Sequence, residues 1–178
     1  MTDQAPGLPE RVAIVGSGGA GKSTLARELG ERLGLPVIHL DREHWLPGWV
    51  EPPADEWTAR VETLASGDRW VIDGNYGGTM EARFEAADTI VFLDASRWLC
   101  TFRIIRRATL HRRRPRPDMA PGCDERLDRA FILWVWRYPD RSRPAVLAAL
   151  ERHREGRSIA VLRNKREVRA FLESLSAG

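Results

Sequence analysis

The residues whose types and spacing most clearly imply chemistry lie between Gly16 and Thr24, in the stretch GSGGAGKST. Gly16, Gly18 and Gly21 satisfy G-x-G-x-x-G, and Asp41 follows about 20 residues later, the spacing of a dinucleotide-binding unit. The same run satisfies G-x-x-x-x-G-K-[ST], the phosphate-binding loop of nucleoside-triphosphate enzymes. Both signatures hold phosphate oxygens with backbone N–H groups at a helix N-terminus, so Ser17, Gly19 and Ala20 serve either one and the glycines do not discriminate. Lys22 and Ser23 do discriminate. In the triphosphate reading the ammonium bridges the terminal phosphates and the hydroxyl binds magnesium, whereas the dinucleotide reading gives these positions no task. Asp73 ends the apolar run WVID and supplies the second oxygen ligand that such a magnesium site needs. The site expected here therefore takes ATP and Mg2+, with Gly16 through Thr24 on the phosphates and with Ser23 and Asp73 on the metal.

The elements that must position these residues follow from the hydrophobic pattern. RVAIVG is a β-branched run entering the loop, and Leu25, Leu29 and Leu33 give the next segment one buried helical stripe. Further strands are expected at VIHL, with Asp41 at its carboxyl end, and at RWVID, DTIVFLD and IAVLR. Strands alternating with helices predict an α/β fold, a parallel sheet covered on both faces with ligands at the carboxyl ends of the strands. Trp98, Leu99, Phe102 and Ile105 are expected on the inner face of the helix after the fourth strand. Leu127, Phe131, Trp134, Val135 and Tyr138 are expected to share one face of a later helix. Residues 1–10 read as a flexible tail and 11–178 as a single domain.

The 178 residues contain 43% hydrophobic side chains, the composition of an ordinary globular domain. No apolar run reaches a membrane span and no signal peptide is evident, so a cytoplasmic protein is expected. Cys100 and Cys123 have no metal-binding spacing and are expected as free or buried thiols. Net charge is +3, and Lys22 and Lys165 are the only lysines, so the loop keeps a flexible point charge in a chain that otherwise uses arginine.

With the loop, Asp73 and the arginine-dense stretch Arg106 to Arg126 in view, the chain resembles the adenylate kinase-like and shikimate kinase-like group of small P-loop kinases. It is most similar to the bacterial branch called DNA topology modulation (FlaR-like) proteins. The stretches that carry the likeness are GSGGAGKST, LDREHWLPGW, WVIDGNYGGT, IVFLD, RPDMAPGCDERLD and WVWRYPDRSRP. The resemblance implies a three-layer fold with a five-stranded parallel sheet in the order 2-3-1-4-5. It also implies ATP on the first loop, an acceptor over residues 41–66, and a lid over about residues 107–126 whose arginines stabilise the transferring group. Arg103, Arg107, Arg112, Arg114 and Arg116 are the candidates. Asp41 resembles the carboxylate that addresses the acceptor hydroxyl in shikimate and gluconate kinases, and it can orient that hydroxyl or accept its proton. Trp45 and Trp49 sit where an acceptor binds and suit either ring stacking or a small local core. Adenylate kinases place Phe-Pro-Arg after the third-strand Asp-Gly. Here Gly74, Asn75 and Tyr76 take that place and the first arginine is Arg83, so the acceptor set is Asp41, Trp45, Trp49, Gly74, Asn75, Tyr76 and Arg83. Arg163 and Asn164 follow the fifth strand, where the group binds adenine. Asn164 and Glu167 read as a capping box rather than a guanine-specific Asn-Lys-x-Asp motif.

The leading reading is ATP- and magnesium-dependent phosphoryl transfer to a small-molecule acceptor. The alternative is an ATP-switched regulator of nucleic acid, its arginine run HRRRPRP meeting phosphate backbones. A dinucleotide oxidoreductase is the third. Composition excludes a membrane partner and says nothing of oligomeric state.

Overall fold

A computed structural model describes residues 8–110, 119–123 and 128–175 of the chain. Five strands, β1 (Arg11–Gly16), β2 (Val37–His39), β3 (Trp70–Asp73), β4 (Thr89–Leu93) and β5 (Ser158–Leu162), form one sheet in the order β2-β3-β1-β4-β5. Every pairing is parallel, as the expectation had it. The last residue of the expected tail is already hydrogen-bonded beside the sheet. Glu10 donates its N–H to the Asp88 carboxylate at 3.1 Å, and its carbonyl accepts from the Trp70 N–H at 2.8 Å.

The strands are apolar on both faces because helices cover both. Val12 and Ile14 of β1, Val71 of β3 and Val91 and Leu93 of β4 point into one core layer, with Leu25, Ala26 and Leu29 of α1 (Lys22–Leu33). The same layer holds Cys100 and Ile104 of α5 (Arg97–Leu110) and Leu172 of α8 (Lys165–Ser174). The alternate residues Ala13, Val15, Trp70, Ile72, Ile90 and Phe92 face the other layer. There they meet Trp57, Val61 and Ala65 of α3 (Ala54–Ala65), Met80 and Phe84 of α4 (Met80–Ala86), and Val146, Ala149 and Leu150 of α7 (Arg143–Arg152). The period-two alternation of each strand thus feeds two cores. Helix α6 (Arg129–Arg141) bridges them, with Val135 in the first and Tyr138 in the second.

One expectation about helices changes. Trp98 is 70% exposed and Phe102 62% exposed, with Leu99 and Ile105 also at the surface, while Cys100, Ile104 and Ala108 make the inner face of α5. The loop after β1 passes directly against this face. A Cβ on Gly19 would lie 2.6 Å from the Cys100 carbonyl oxygen. On α6, Phe131 and Trp134 remain partly exposed at the cavity described below, while Val135 and Tyr138 are buried. Leu127 falls outside the described residues. Among the described residues no helix is long and apolar enough to cross a membrane, and both cysteines are free and buried.

Candidate functional site

Strand β1 delivers the chain to the carboxyl edge of the sheet, where residues 16–21 turn back into α1. Gly18 explains why the stretch also matched the dinucleotide pattern. A Cβ there would come within 2.6 Å of Phe131 Cζ and 2.9 Å of Val135 Cγ2, so this glycine is demanded by the close approach of α6. Gly21 caps α1 with φ of 107° and contributes no side-chain hydrogen bond, leaving the first N–H groups of a 12-residue helix without a side-chain partner at the cavity. The Lys22 ammonium lies over the loop and donates to the Ser17 carbonyl at 3.0 Å. Burial pulls its pKa below the ordinary lysine value, opposed by the charges of Asp41 and Asp73. Arg103 reaches from α5 and donates through Nη1 to the carbonyls of Gly19 (3.1 Å) and Ala20 (3.2 Å), bracing the loop from above.

Asp73 is the hub beneath the loop. The parallel register sets His39 of β2 beside it, and His39 Nδ1 contacts Asp73 Oδ1. Ser23 donates its hydroxyl to Asp73 Oδ2 at 2.9 Å. The carboxylate is thereby fixed through both oxygens. A hydroxyl and a carboxylate so joined are hard oxygen donors, and Mg2+ takes one or two such protein ligands together with substrate phosphates and water. The pair Ser23 and Asp73 fits that demand.

The acceptor side grows from the short helix α2 (Leu40–His44). Asp41 stands in that helix rather than at the strand end, and Tyr76 donates its hydroxyl to Asp41 Oδ1 at 2.9 Å. Burial, then the Asp41 charge, raises the Tyr76 pKa far above the usual phenol value, so the hydroxyl stays a donor. Tyr138 donates to Asn75 Oδ1 at 3.0 Å and fixes that amide from α6. Trp45 and Trp49 meet edge to face at 5.3 Å between centroids, and Met119, Ala120 and Cys123 pack against them. A local core therefore forms between Trp45, Trp49 and residues 119–123, and both tryptophans also line the cavity.

These parts surround one cavity of about 1480 Å3. Gly18 through Thr24, Asp41, Trp45, Trp49, Asn75, Tyr76, Arg103, Arg107, Arg163 and Asn164 all line it. Gly16, Ser17, Asp73 and Gly74 are buried and do not line the cavity. Arg83 requires a correction. Its side chain is fully buried, and its guanidinium donates to the carbonyls of Thr79 (3.3 Å), Gly74 (3.0 Å) and Tyr76 (3.0 Å). With those donors spent on the backbone it braces the acceptor loop and does not face an acceptor. Arg114 lies outside the described residues, as do Arg112 and Arg116, so the arginine-rich part of the expected lid and the nucleic-acid reading that rests on it fall there too.

Asn164 caps α8. Its side-chain oxygen accepts from the N–H groups of Arg166 (3.0 Å) and Glu167 (3.1 Å), and the Glu167 carboxylate accepts from the Arg163 N–H at 2.7 Å. The capping reading holds, with the return bond one residue before the cap. Asn164→Ala is expected to lose about 1 kcal/mol of stability in urea denaturation without exchanging ATP for GTP preference. Glu51 and Met119 are among the lining residues that had not been singled out. Glu51 had a signal, a carboxylate directly after the tryptophan-containing loop.

No protein-family model matches the chain, and no curated protein matches it. Solved structures do match. The shikimate kinase of Acinetobacter baumannii in complex with shikimate is 18% identical with a TM-score of 0.60, over 94% of this chain and 90% of that one. A gluconokinase of Sinorhizobium meliloti is 19% identical with a TM-score of 0.55, over 97% and 96%. A putative kinase of Chloroflexus aurantiacus is 18% identical with a TM-score of 0.52, over 96% and 98%. At these identities the likeness is one of architecture, and together with the 2-3-1-4-5 parallel sheet it gives this chain the fold of the small P-loop kinases.

Proposed function

We propose that the protein is an ATP- and magnesium-dependent kinase of a small hydroxyl-bearing molecule. The observation that carries this reading is that Lys22, Ser23, Asp41 and Tyr76 line a single cavity, with Asp73 buried behind Ser23 and accepting its hydroxyl, and Tyr76 donating to Asp41. The backbone N–H groups at the start of α1 and the Lys22 ammonium hold the donor phosphates. Ser23 and Asp73 hold the metal, which when bound neutralises charge on the phosphate oxygens. Arg103 keeps the loop in shape, and Arg107, one turn further along α5, adds positive charge at the same wall. Arg163 and the capped start of α8 border the base.

On the other side Tyr76 occupies Asp41 Oδ1, which turns the second carboxylate oxygen to the acceptor hydroxyl. The acceptor oxygen bonds to the γ-phosphorus as the bond from that phosphorus to the bridging oxygen breaks. ADP leaves with the electron pair and the hydroxyl proton passes to Asp41. Trp45, Trp49, Asn75 and Tyr76 shape the acceptor pocket, and residues 119–123 close over the tryptophans to keep water out. The likeness to DNA topology modulation proteins rests on the sequence stretches above and names no acceptor.

Asp41→Asn tests the division of labour. Acceptor-stimulated ADP release is expected to fall by about 10²- to 10⁴-fold while ATP affinity, read by calorimetry, stays within about twofold. A variant that keeps full turnover removes Asp41 from the reaction.

A further inference from the structure

The acceptor wall has a charge character of its own. Leu46 and Val50 pair as a tight hairpin, with the Leu46 N–H on the Val50 carbonyl at 2.9 Å and the Trp49 N–H on the Leu46 carbonyl at 3.1 Å. The hairpin presents Trp45 and Trp49 to the cavity, and Glu51 follows it onto the same wall. Tyr76 and Asp41 complete that wall. It therefore offers three aromatic side chains and two carboxylates.

Cations stand elsewhere. Among the described residues, those lining the cavity come from the donor loop and α1, from Arg103 and Arg107 of α5, from the end of α6, and from the region of β5 and α8. The cavity-lining residues between Asp41 and Met80 include none. Arg83, the arginine that sequence spacing offered to an acceptor, is spent on three backbone carbonyls. Both carboxylates act on the rings behind them. They add to burial in raising the Tyr76 pKa, and they oppose the burial that lowers the pKa of His44. His44 is buried against Trp45, Trp57 and Tyr76, and lowering its pKa favours the neutral ring.

An acceptor carrying a carboxylate or phosphate would meet like charge on this wall. An ammonium group meets opposite charge and the negative faces of indole rings, which attract cations most strongly among aromatic side chains. We propose that the acceptor is a hydroxyl compound bearing an ammonium group, which lies between Glu51 and the Trp45 indole while its hydroxyl turns to Asp41. This rests on the kinase reading for the reaction, but the binding half stands on the wall alone.

The test uses three pools of small hydroxyl compounds matched in size, one ammonium-bearing, one neutral and one carboxylate-bearing. Each is added to the whole protein in two assays, tryptophan fluorescence without nucleotide and ADP release from Mg-ATP. The ammonium pool is expected to give saturable quenching and to stimulate ADP release, both at concentrations at least about tenfold lower than either other pool. Glu51→Gln is expected to raise the KM for the active ammonium compound about tenfold, a larger change than its effect on kcat. Glu56→Gln, exposed on α3, leaves both unchanged. Stimulation by the neutral or carboxylate pool alone overturns the proposal and leaves the kinase reading standing. Quenching by the ammonium pool with no ADP release from any pool overturns the kinase reading and leaves the cation site standing. Absence of saturable quenching by the ammonium pool overturns the proposal whichever way the ADP assay falls.

Discussion

Lys22→Met is expected to reduce acceptor-dependent ADP formation by about 10³-fold while leaving a folded protein. The lysine is held by a single hydrogen bond, to the Ser17 carbonyl at 3.0 Å. Methionine keeps the length and apolar character of the stem and forfeits that bond, worth about 1 kcal/mol. What it removes is the positive charge beside the donor phosphates. That charge sits in a pocket that is partly screened from water, where burial already lowers the lysine pKa and Asp41 and Asp73 hold it up. Phosphoryl transfer depends on charge placed in advance where negative charge shifts, so the loss appears in kcat as well as in ATP affinity. Thermal unfolding and steady-state kinetics on one preparation separate the two effects. A melting temperature lowered by only about 2–4 °C with turnover down about a thousandfold is the expected pair. Turnover within a factor of a few of wild type removes the loop from the chemistry.

Arg83→Met is expected to lose about 3 kcal/mol or more, the largest stability effect of any single change considered. The guanidinium is fully buried and satisfies three carbonyls, those of Thr79, Gly74 and Tyr76. Desolvation draws its pKa down to about 10, with Asp73 and Tyr76 opposing. Removing it takes a charged donor from all three carbonyls, of which that of Tyr76 keeps the Thr79 N–H at 3.2 Å, and the loss is a large share of the roughly 5–15 kcal/mol by which domains of this kind are stable. The damage is local to function, because Asn75 and Tyr76 lie on the loop it braces and both line the cavity. Arg83→Lys retains the charge but reaches fewer carbonyls and is expected to recover part of the loss. Chemical denaturation reads the stability, and the acceptor KM reads the loop. A methionine variant of full stability with a raised KM would instead make Arg83 a direct acceptor contact, as its place in the sequence first implied.

That reversal marks where the sequence stopped being legible. The phosphate loop, the carboxylate at the end of the third strand and the Asn164 cap are local patterns, each fixed by residues a few positions apart, and the structure assembles them as expected. The strand order came from resemblance. Hydrophobic size misled on α5, where Trp98 and Phe102 looked like core. The inner face instead carries Cys100, Ile104 and Ala108, the face against which the glycine loop runs. The bonds that assemble the site join residues far apart, His39 to Asp73, Asp41 to Tyr76 and Asn75 to Tyr138. They exist because parallel strands end at one edge of the sheet and because α6 crosses between its two core layers. No local periodicity encodes such partners. The same holds for Glu51, whose meaning depends on the wall it joins.

The most direct test of the central claim follows the γ-phosphate itself. Wild-type protein and Lys22→Met are incubated with magnesium and ATP labelled in the γ-phosphate, together with pooled small hydroxyl compounds or with DNA. Label in a small-molecule product, formed by wild type and absent with the variant, is the predicted result. Label released only as inorganic phosphate, at a rate raised by DNA and indifferent to every small-molecule pool, would contradict the kinase reading and make the protein a nucleic-acid-linked ATPase.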